Sequence, residues 1–419
     1  MAEKRLEPRL AKMIIHSLGS FGTPPEFGIE HFSVGLESYL EVIEKEYLTD
    51  MLKYNLSSFK LITGNYGGGK THFLYLIREL AWRHNYVTSY VSLSPTECPF
   101  DRLELVYKKI AANITPPSGG DFLKQTDRGI GALLRERFKN LEGTEDMFLK
   151  RKNLESSSFT NALKAAYLSL RTDDEDEFLA IVQWLKGEDV QRDVRLRHRI
   201  SERIDRSTAF RMLRSLVQFI NATGYSGLIF LFDEAERGMS ISSTRDKRRA
   251  LDNLRQLVDE CGNSRLPGAM FFYAVPDENL LLEGSGGVYE ALKQRLRSSF
   301  TKINPMGVKI NLEKIGVGAE EFLERLGMKL SWIFECAYDF EFDSGLLNGT
   351  INNMIHTALE LQSLDISYRR IFVVGIIEAF QHLRDKNKMI GRDEAQRILR
   401  STIKMLSEKE REEVERQEF

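Results

Sequence analysis

The chain has 419 residues and a formal net charge of −2, with 42% hydrophobic and 29% charged residues. This composition predicts a folded protein of two or three compact units and argues against disorder. The near-neutral charge excludes a global basic field for nucleic acid, so any such contact would come from local patches.

Cysteine usage and hydropathy bear on the cellular compartment. The three cysteines, Cys98, Cys261 and Cys336, are far apart and odd in number, which favours reduced thiols over a disulfide framework or a metal site. No stretch approaches the roughly 18 uninterrupted apolar residues of a membrane span, and the N-terminus lacks a signal-peptide core. We therefore expect a cytoplasmic protein with no membrane partner.

The N-terminal stretch is predicted to be helical. Apolar residues at helical spacing predict a first helix over Leu6–Leu18 and a second over Val34–Met51. The segment EFGIEHFSVG lies between them. In a nucleotide-binding protein this segment could hold an adenine base through Ile29, Phe32 and Val34, and plain helix packing explains it equally well.

Residues 59–73, FKLITGNYGGGKTHF, form the most informative stretch of the chain. An apolar strand, a glycine-rich loop and a helix follow one another, which is the arrangement of a P-loop (Walker A). Glycines let backbone N–H groups approach a triphosphate and permit positive φ. The predicted nucleotide site consists of Gly64, Asn65, Tyr66, Gly67, Gly68, Gly69, Lys70, Thr71 and His72.

Two side chains of this loop have chemical roles in the prediction. Lys70 would bridge the β- and γ-phosphates of ATP and contribute to catalysis, and the Thr71 hydroxyl would ligate Mg²⁺. The positive end of the following helix would add to the attraction for phosphate.

An acidic pair follows a second buried strand. The run GLIFLFDEAE contains consecutive apolar residues typical of a parallel strand buried on both faces, and Asp233 and Glu234 stand at its carboxyl end. Parallel sheets present ligands at that end, so the pair would face the P-loop. As a Walker B pair, Asp233 would hold Mg²⁺ through water and Glu234 would polarise the attacking water.

The remaining apolar runs complete a predicted sheet. With helices between the strands, the pattern predicts an α/β fold with a five-stranded parallel core. The predicted strands are residues 59–63, 87–93, 227–232, 269–275 and 307–312.

A helical insertion is predicted between residues 116 and 207. It carries an acidic run, TDDEDE, and an arginine-rich run over residues 191–206. Mixed charges of this kind are typical of a solvated helix face with internal ion pairs. A surface that contacts phosphate or a partner is the alternative.

Arginines on two later helices are candidates for contact with the γ-phosphate. Arg295 and Arg297, on a helix predicted over residues 288–300, could act as an arginine finger in a neighbouring subunit, or could be surface residues at a helix C-terminus. Arg369 and Arg370 open an apolar helix of a C-terminal lid, from which one could reach the nucleotide or simply cap the helix.

The strand ending at Val275 lacks the polar residue that senses the γ-phosphate in related ATPases. Ala274 and Val275 stand where an Asn or Thr is expected, and Asp277 or Asn279 could substitute.

Taken together, the core and lid resemble the AAA+ superfamily, and QRLRSSF and SYRRIF resemble segments of its origin-recognition and loader ATPases. GNYGGGKTHFL, SLSPTECPFDRLELVY and LIFLFDEAE resemble more closely the ATP-binding proteins of BREX bacteriophage-defence systems, the BrxD-like family. The resemblance spans nearly the whole chain. It implies nucleotide binding by residues 64–71, metal and water handling by Asp233 and Glu234, and nucleotide sensing by Arg369.

The resemblance also implies partners, namely DNA and a helicase or another defence protein, and a possible homo-oligomer. Two functions remain open: a motor or loader that hydrolyses ATP on DNA, and a nucleotide-gated switch with slow hydrolysis. The predicted organisation is N-terminal helices over 1–55, the ATPase core over 56–115 and 208–312, the insertion over 116–207, and the lid and tail over 313–419.

Overall fold

The structure is a computed structural model. It describes residues 6–117, 127–139, 154–241, 243–277, 279, 287–314, 316–361 and 368–418. Parts of the predicted insertion, residues 118–126 and 140–153, lie outside the described residues.

Six strands lie within the described residues. They are β1 (Ser58–Thr63), β2 (Tyr86–Ser92), β3 (Ile114–Thr115), β4 (Gly227–Asp233), β5 (Ala269–Val275) and β6 (Lys309–Asn311). The helices in the first half of the chain are α1 (Pro8–Phe21), α2 (Glu37–Val42), α3 (Lys70–Arg83), α4 (Leu103–Ala112), α5 (Ile130–Lys139), α6 (Ser157–Arg171), α7 (Glu175–Leu185), α8 (Arg192–Arg197) and α9 (Ala209–Ala222). Those in the second half are α10 (Ala235–Gly238), α11 (Thr244–Gly262), α12 (Gly287–Leu296), α13 (Ala319–Tyr338), α14 (Ser344–Glu360), α15 (Tyr368–Lys386) and α16 (Arg392–Glu418).

The strands form one mixed, mostly parallel sheet in the order β3-β2-β4-β5-β1-β6. Parallel pairing joins β1 to β5, β5 to β4 and β4 to β2. Consequently β5 separates the strand that leads into the P-loop from the strand that ends in the acidic pair. Every residue of β4 and β5 is buried, which explains their uninterrupted apolar sequences.

All five predicted strands are present, and the prediction of a five-stranded parallel core needs one correction, which is an antiparallel sixth strand at the edge. The sixth strand, β3, has only two residues and pairs antiparallel with Thr88 and Ser89 of β2. A two-residue strand shows no periodicity, so its existence depends on the neighbouring strand rather than on its own sequence.

Two helix predictions also need correction. The helix predicted over Val34–Met51 is broken: α2 passes into a π-helical stretch, Ile43–Leu48, and then a 3-10 turn, Met51–Tyr54. The helix predicted to reach residue 300 ends at Leu296. Helix ends depend on local hydrogen bonding that the apolar pattern does not record.

The chain divides into two compact units. The first comprises Met1–Ser38, Gly64–Leu76 and Asn311–Phe419. Within its described residues, α1 packs against α13 and α15, and α14, α15 and α16 pack against one another. The P-loop therefore belongs to the same unit as the helices of the predicted lid.

The second unit comprises Tyr39–Thr63 and Ile77–Ile310, and it contains most of the sheet. Helices α4 and α9 pack on β2 and β4, and α11 packs on β1. Buried residues of the predicted insertion, such as Phe159 and Trp184, belong to the same hydrophobic cluster as Phe230 and Phe271 of the sheet. The described part of the insertion thus shares the core of the sheet.

Among the described residues, every helix is too short or too polar to cross a lipid bilayer.

Candidate functional site

The glycine-rich loop connects β1 to α3. Gly67 and Gly69 have φ angles of 71° and 95°, values that favour glycine. Lys70 is the first residue of α3 and is buried, and its Nζ donates to the carbonyls of Gly64 at 2.7 Å and Asn65 at 3.1 Å. The side chain of Lys70 therefore bends back over the loop, and its ammonium group binds two carbonyls of the loop backbone.

The first arginine of α15 contacts this loop. Arg369 donates from Nη1 to the Gly68 carbonyl at 2.9 Å and to the Leu312 carbonyl at 3.3 Å. Arg370, by contrast, donates from Nε to the Phe21 carbonyl at 3.0 Å. Within the first unit, the structure thus brings Arg369 to the P-loop and directs Arg370 to the end of α1.

The residue after Thr71 is surrounded by the N-terminal segment. The Ser33 hydroxyl lies 2.7 Å from Nε2 of His72, and the Phe32 ring meets the imidazole edge-on, with ring centroids 5.0 Å apart. Burial lowers the pKa of His72 to about 4, so the imidazole is neutral at physiological pH. Ile29, Phe32 and Val34 are buried, as helix packing predicts.

In the second unit, the acidic pair stands at the carboxyl end of β4. Asp233 is 2% exposed, and its Oδ2 accepts a hydrogen bond from the Tyr90 hydroxyl at 2.7 Å. Its Oδ1 accepts the backbone N–H of Glu234 at 2.9 Å. Both carboxylate oxygens of Asp233 are thus oriented by neighbours, which fixes the direction in which a metal or its water could bind.

Glu234 is held in an uncommon backbone conformation. Its φ is 50°, in the left-handed region that few non-glycine residues adopt. Its Oε2 accepts hydrogen bonds from the Ser92 hydroxyl at 2.7 Å and from Nη1 of Arg237 at 2.8 Å. These two contacts fix the direction of the carboxylate, so Glu234 must leave at least one donor before it can orient a water.

Sequence reasoning missed Tyr90, Ser92 and Arg237. In the parallel pairing of β2 with β4, Ser92 is the partner of Asp233. The sequence does show two polar residues, Tyr90 and Ser92, near the end of the strand predicted over residues 87–93. To place them beside Asp233 and Glu234 requires the strand order, which the sequence pattern does not give.

The two candidate finger arginines differ in environment. Arg295 forms a two-pronged ion pair with Asp259 of α11, in which Nη2 lies 3.1 Å from Oδ2. Arg297 follows the end of α12 and is exposed. Among the described residues, Arg297 forms no ion pair within the chain, in contrast to Arg295.

The two candidate sensor residues contact each other. The side-chain amide of Asn279 donates to Oδ2 of Asp277 at 3.0 Å, and its backbone N–H donates to Oδ1 at 3.1 Å. Both lie beyond the end of β5.

The P-loop between β1 and α3, together with a mostly parallel sheet, places the chain in the class of α/β proteins that bind nucleotides. The family described as "BREX system ATP-binding protein BrxC/D" matches residues 6–397. The chain therefore belongs to that family, as its motifs suggested, and ATP is its nucleotide. No curated protein and no solved structure gives a significant match.

Proposed function

We propose that the protein is an AAA+ ATPase that hydrolyses Mg²⁺-ATP in a bacterial anti-phage system. The observation that carries this proposal is the oriented pair Asp233–Glu234 at the end of β4, in a sheet where β5 lies between β4 and the strand of the P-loop. Asp233 would serve ATP binding alone through Mg²⁺, whereas a second carboxylate beside it, held in a strained conformation, favours a role in hydrolysis.

The proposed chemistry assigns one task to each residue. The amides of the loop and Lys70 bind the β- and γ-phosphates, and Glu234 accepts the proton of the attacking water. Thr71 and Asp233 offer a hydroxyl and a carboxylate oxygen, the hard donors that Mg²⁺ prefers, and so they fit this ion. When bound, Mg²⁺ would neutralise charge on the phosphates.

The restrained glutamate supports slow basal turnover. Glu234 must leave Ser92 or Arg237 before it can orient water, and a partner that moves either residue would accelerate hydrolysis. This coupling favours an ATPase whose rate depends on its partner. A switch with slow hydrolysis that regulates assembly of a defence complex is the second candidate, and the same restraint supports it.

A basic surface in the second unit supports DNA as that partner. Asp101 lies 3.9 Å from Arg206, which follows the insertion helices, and 3.9 Å from Arg249 of α11. Arg245 lies one helical turn before Arg249, is exposed, and forms no ion pair with a described residue. Arg249 also pairs with Asp246 at 2.8 Å, so the three arginines exceed the two aspartates by one positive charge, and Arg245 is the arginine best placed to contact phosphate.

Larger rearrangements would connect the nucleotide site to other subunits and partners. We propose that helices α13–α16 form a lid that responds to the nucleotide, and that Arg297 rather than Arg295 serves as the finger if the protein forms homo-oligomers. A helicase or another defence protein would then read the nucleotide state.

The test is ATP turnover with and without duplex DNA. We expect the parental protein to hydrolyse ATP and DNA to stimulate it, Lys70→Ala to abolish nucleotide binding, and Glu234→Gln to bind ATP without turnover. The double substitution Arg245→Glu and Arg249→Glu should remove the stimulation and leave basal turnover intact. No hydrolysis by the parental protein would refute the ATPase, and hydrolysis indifferent to every DNA form would favour the switch.

A further inference from the structure

The turn at the start of the P-loop is held from outside at both of its ends. The Gly68 N–H donates to the Asn65 carbonyl at 2.9 Å and closes the turn. At its first residue, the Asn65 N–H donates to Oε1 of Glu313 at 3.1 Å. At its last residue, the Gly68 carbonyl accepts from Arg369 at 2.9 Å. An acidic and a basic side chain thus hold one turn through its backbone.

The backbone of Glu313 and the side chain of Arg369 are themselves held by further contacts. Glu313 lies in a turn after β6, where its N–H donates to Oδ1 of Asn311 at 2.9 Å. Arg369 also donates to the Leu312 carbonyl at 3.3 Å from both Nη atoms, and its guanidinium lies 4.8 Å from the centre of the Phe322 ring. Arg369 therefore joins the P-loop and the turn that carries Glu313.

The glycine at position 68 fits this contact. A Cβ added to Gly68 would lie 2.7 Å from Oε1 of Glu313 and 2.8 Å from the Asn65 carbonyl oxygen. Both distances are too short for a side chain. The Asn65 oxygen belongs to the backbone and cannot move aside, so the turn requires glycine at this position, and a side chain here would also displace the Glu313 carboxylate.

We propose that Glu313 and Arg369 are positioning residues that together hold the P-loop in its phosphate-binding shape. This inference rests on the proposed nucleotide site. Charge-assisted hydrogen bonds to a peptide N–H and to a peptide C=O restrict the rotation of those peptide groups. The neighbouring N–H groups are then oriented before the nucleotide arrives, so less ordering remains to be done on binding.

The proposal differs in a measurable way from a role for Arg369 in sensing the γ-phosphate. A sensor of the γ-phosphate contributes to ATP binding and not to ADP binding. A residue that shapes the loop contributes equally to both, because the loop holds the β-phosphate that the two nucleotides share.

The experiment compares Glu313→Ala, Glu313→Gln, Arg369→Ala and the double variant Glu313→Ala/Arg369→Ala. Affinities for ADP and for a non-hydrolysable ATP analogue are measured by titration. We expect each alanine variant to weaken both nucleotides by the same factor, about tenfold. Glu313→Gln keeps an acceptor oxygen and should lose less, and the double variant should lose less than the product of the single effects. Glu324→Ala and Arg400→Ala, which change exposed charges elsewhere in the same unit, should match the parental chain.

Amide hydrogen exchange without nucleotide gives an independent readout. The Asn65 amide should exchange faster in Glu313→Ala than in the parental protein or in Glu324→Ala. The inference is overturned if Glu313→Ala changes neither exchange nor affinity, or if Arg369→Ala weakens the ATP analogue and spares ADP. A parental chain that binds no nucleotide but shows faster exchange in Glu313→Ala would refute the proposed function and uphold the holding contact.

Discussion

The burial of Lys60 in the second unit predicts how the stability of the protein changes with pH. A lysine in the middle of a buried strand is unusual, because its charged form is poorly solvated there. Lys60 is 1% exposed and donates to the Gly307 carbonyl at 2.5 Å and to the Tyr47 hydroxyl at 2.7 Å. Its Nζ lies over the rings of Tyr47 and Phe300, 4.4 Å and 4.7 Å from their centres. Among the described residues it has no carboxylate partner.

Burial lowers the pKa of Lys60 from 10.5 to about 7. Between these two values the unfolded chain binds a proton that the folded chain does not, so the free energy of unfolding rises with pH across that window. One pH unit corresponds to about 1.4 kcal/mol. The contribution of Lys60 should therefore grow by about 3 kcal/mol between about pH 7 and pH 9.5.

The perturbation is Lys60→Met, which keeps the length of the side chain and removes the titrating group. We expect the stability of Lys60→Met relative to the parental protein to be highest near neutral pH and to fall as pH rises. Urea unfolding followed by tryptophan fluorescence at several pH values measures the difference. Lys53→Met, which removes an exposed lysine, is the matched control. A difference for Lys60→Met that does not change with pH would mean that the carbonyls and rings keep Lys60 charged, and would contradict its lowered pKa.

Two further predictions follow from charged contacts. Arg237→Ala should raise basal ATP turnover by less than about fivefold, because the pair with Glu234 is partly exposed and worth at most about 1 kcal/mol; a fall in turnover in a steady-state assay would contradict the restraint. Arg214→Met should lower the free energy of unfolding by about 3 kcal/mol, because it removes the 3.0 Å partner of Glu260, which is 4% exposed. An unchanged urea midpoint would show that the second partner of Glu260, Arg265 at 3.5 Å, is sufficient.

The sequence predicted those parts of the fold in which burial produces a simple pattern of apolar and polar residues. The apolar runs of β4 and β5 are continuous because both faces of these strands are covered, and the alternation over residues 87–93 marks β2. The α/β class and the family were predicted correctly. The strand β3 was missed because its two residues pair only through contact with β2.

The candidate site was predicted only where its chemistry is local in sequence. The glycines, Lys70 and Thr71 lie in one loop, and Asp233 and Glu234 are adjacent, so short motifs reveal them. Their roles in binding and hydrolysis remain predictions.

The partners of these residues come from distant segments and carry no motif. Ser92 contacts Glu234 because β2 pairs with β4, and Glu313 contacts Asn65 across 248 positions of sequence. In the sequence, Glu313 resembles any exposed glutamate on a turn. Only the structure shows that it accepts a hydrogen bond from the backbone N–H of Asn65. Strand order and turn placement, which depend on tertiary packing, decide such contacts.

We propose that Thr71 of the P-loop and Asp233 of β4 hold the same magnesium ion on a bound triphosphate. Electron paramagnetic resonance of Mn²⁺, used in place of Mg²⁺ with a non-hydrolysable ATP analogue, tests it in the parental protein, Thr71→Ala, Asp233→Asn and the double variant. We expect each single variant to weaken Mn²⁺ binding to the nucleotide complex, and the double variant to lose less than the product of the two effects. If the Asp233→Asn protein still binds the nucleotide and keeps the parental affinity for Mn²⁺, the shared metal site is contradicted.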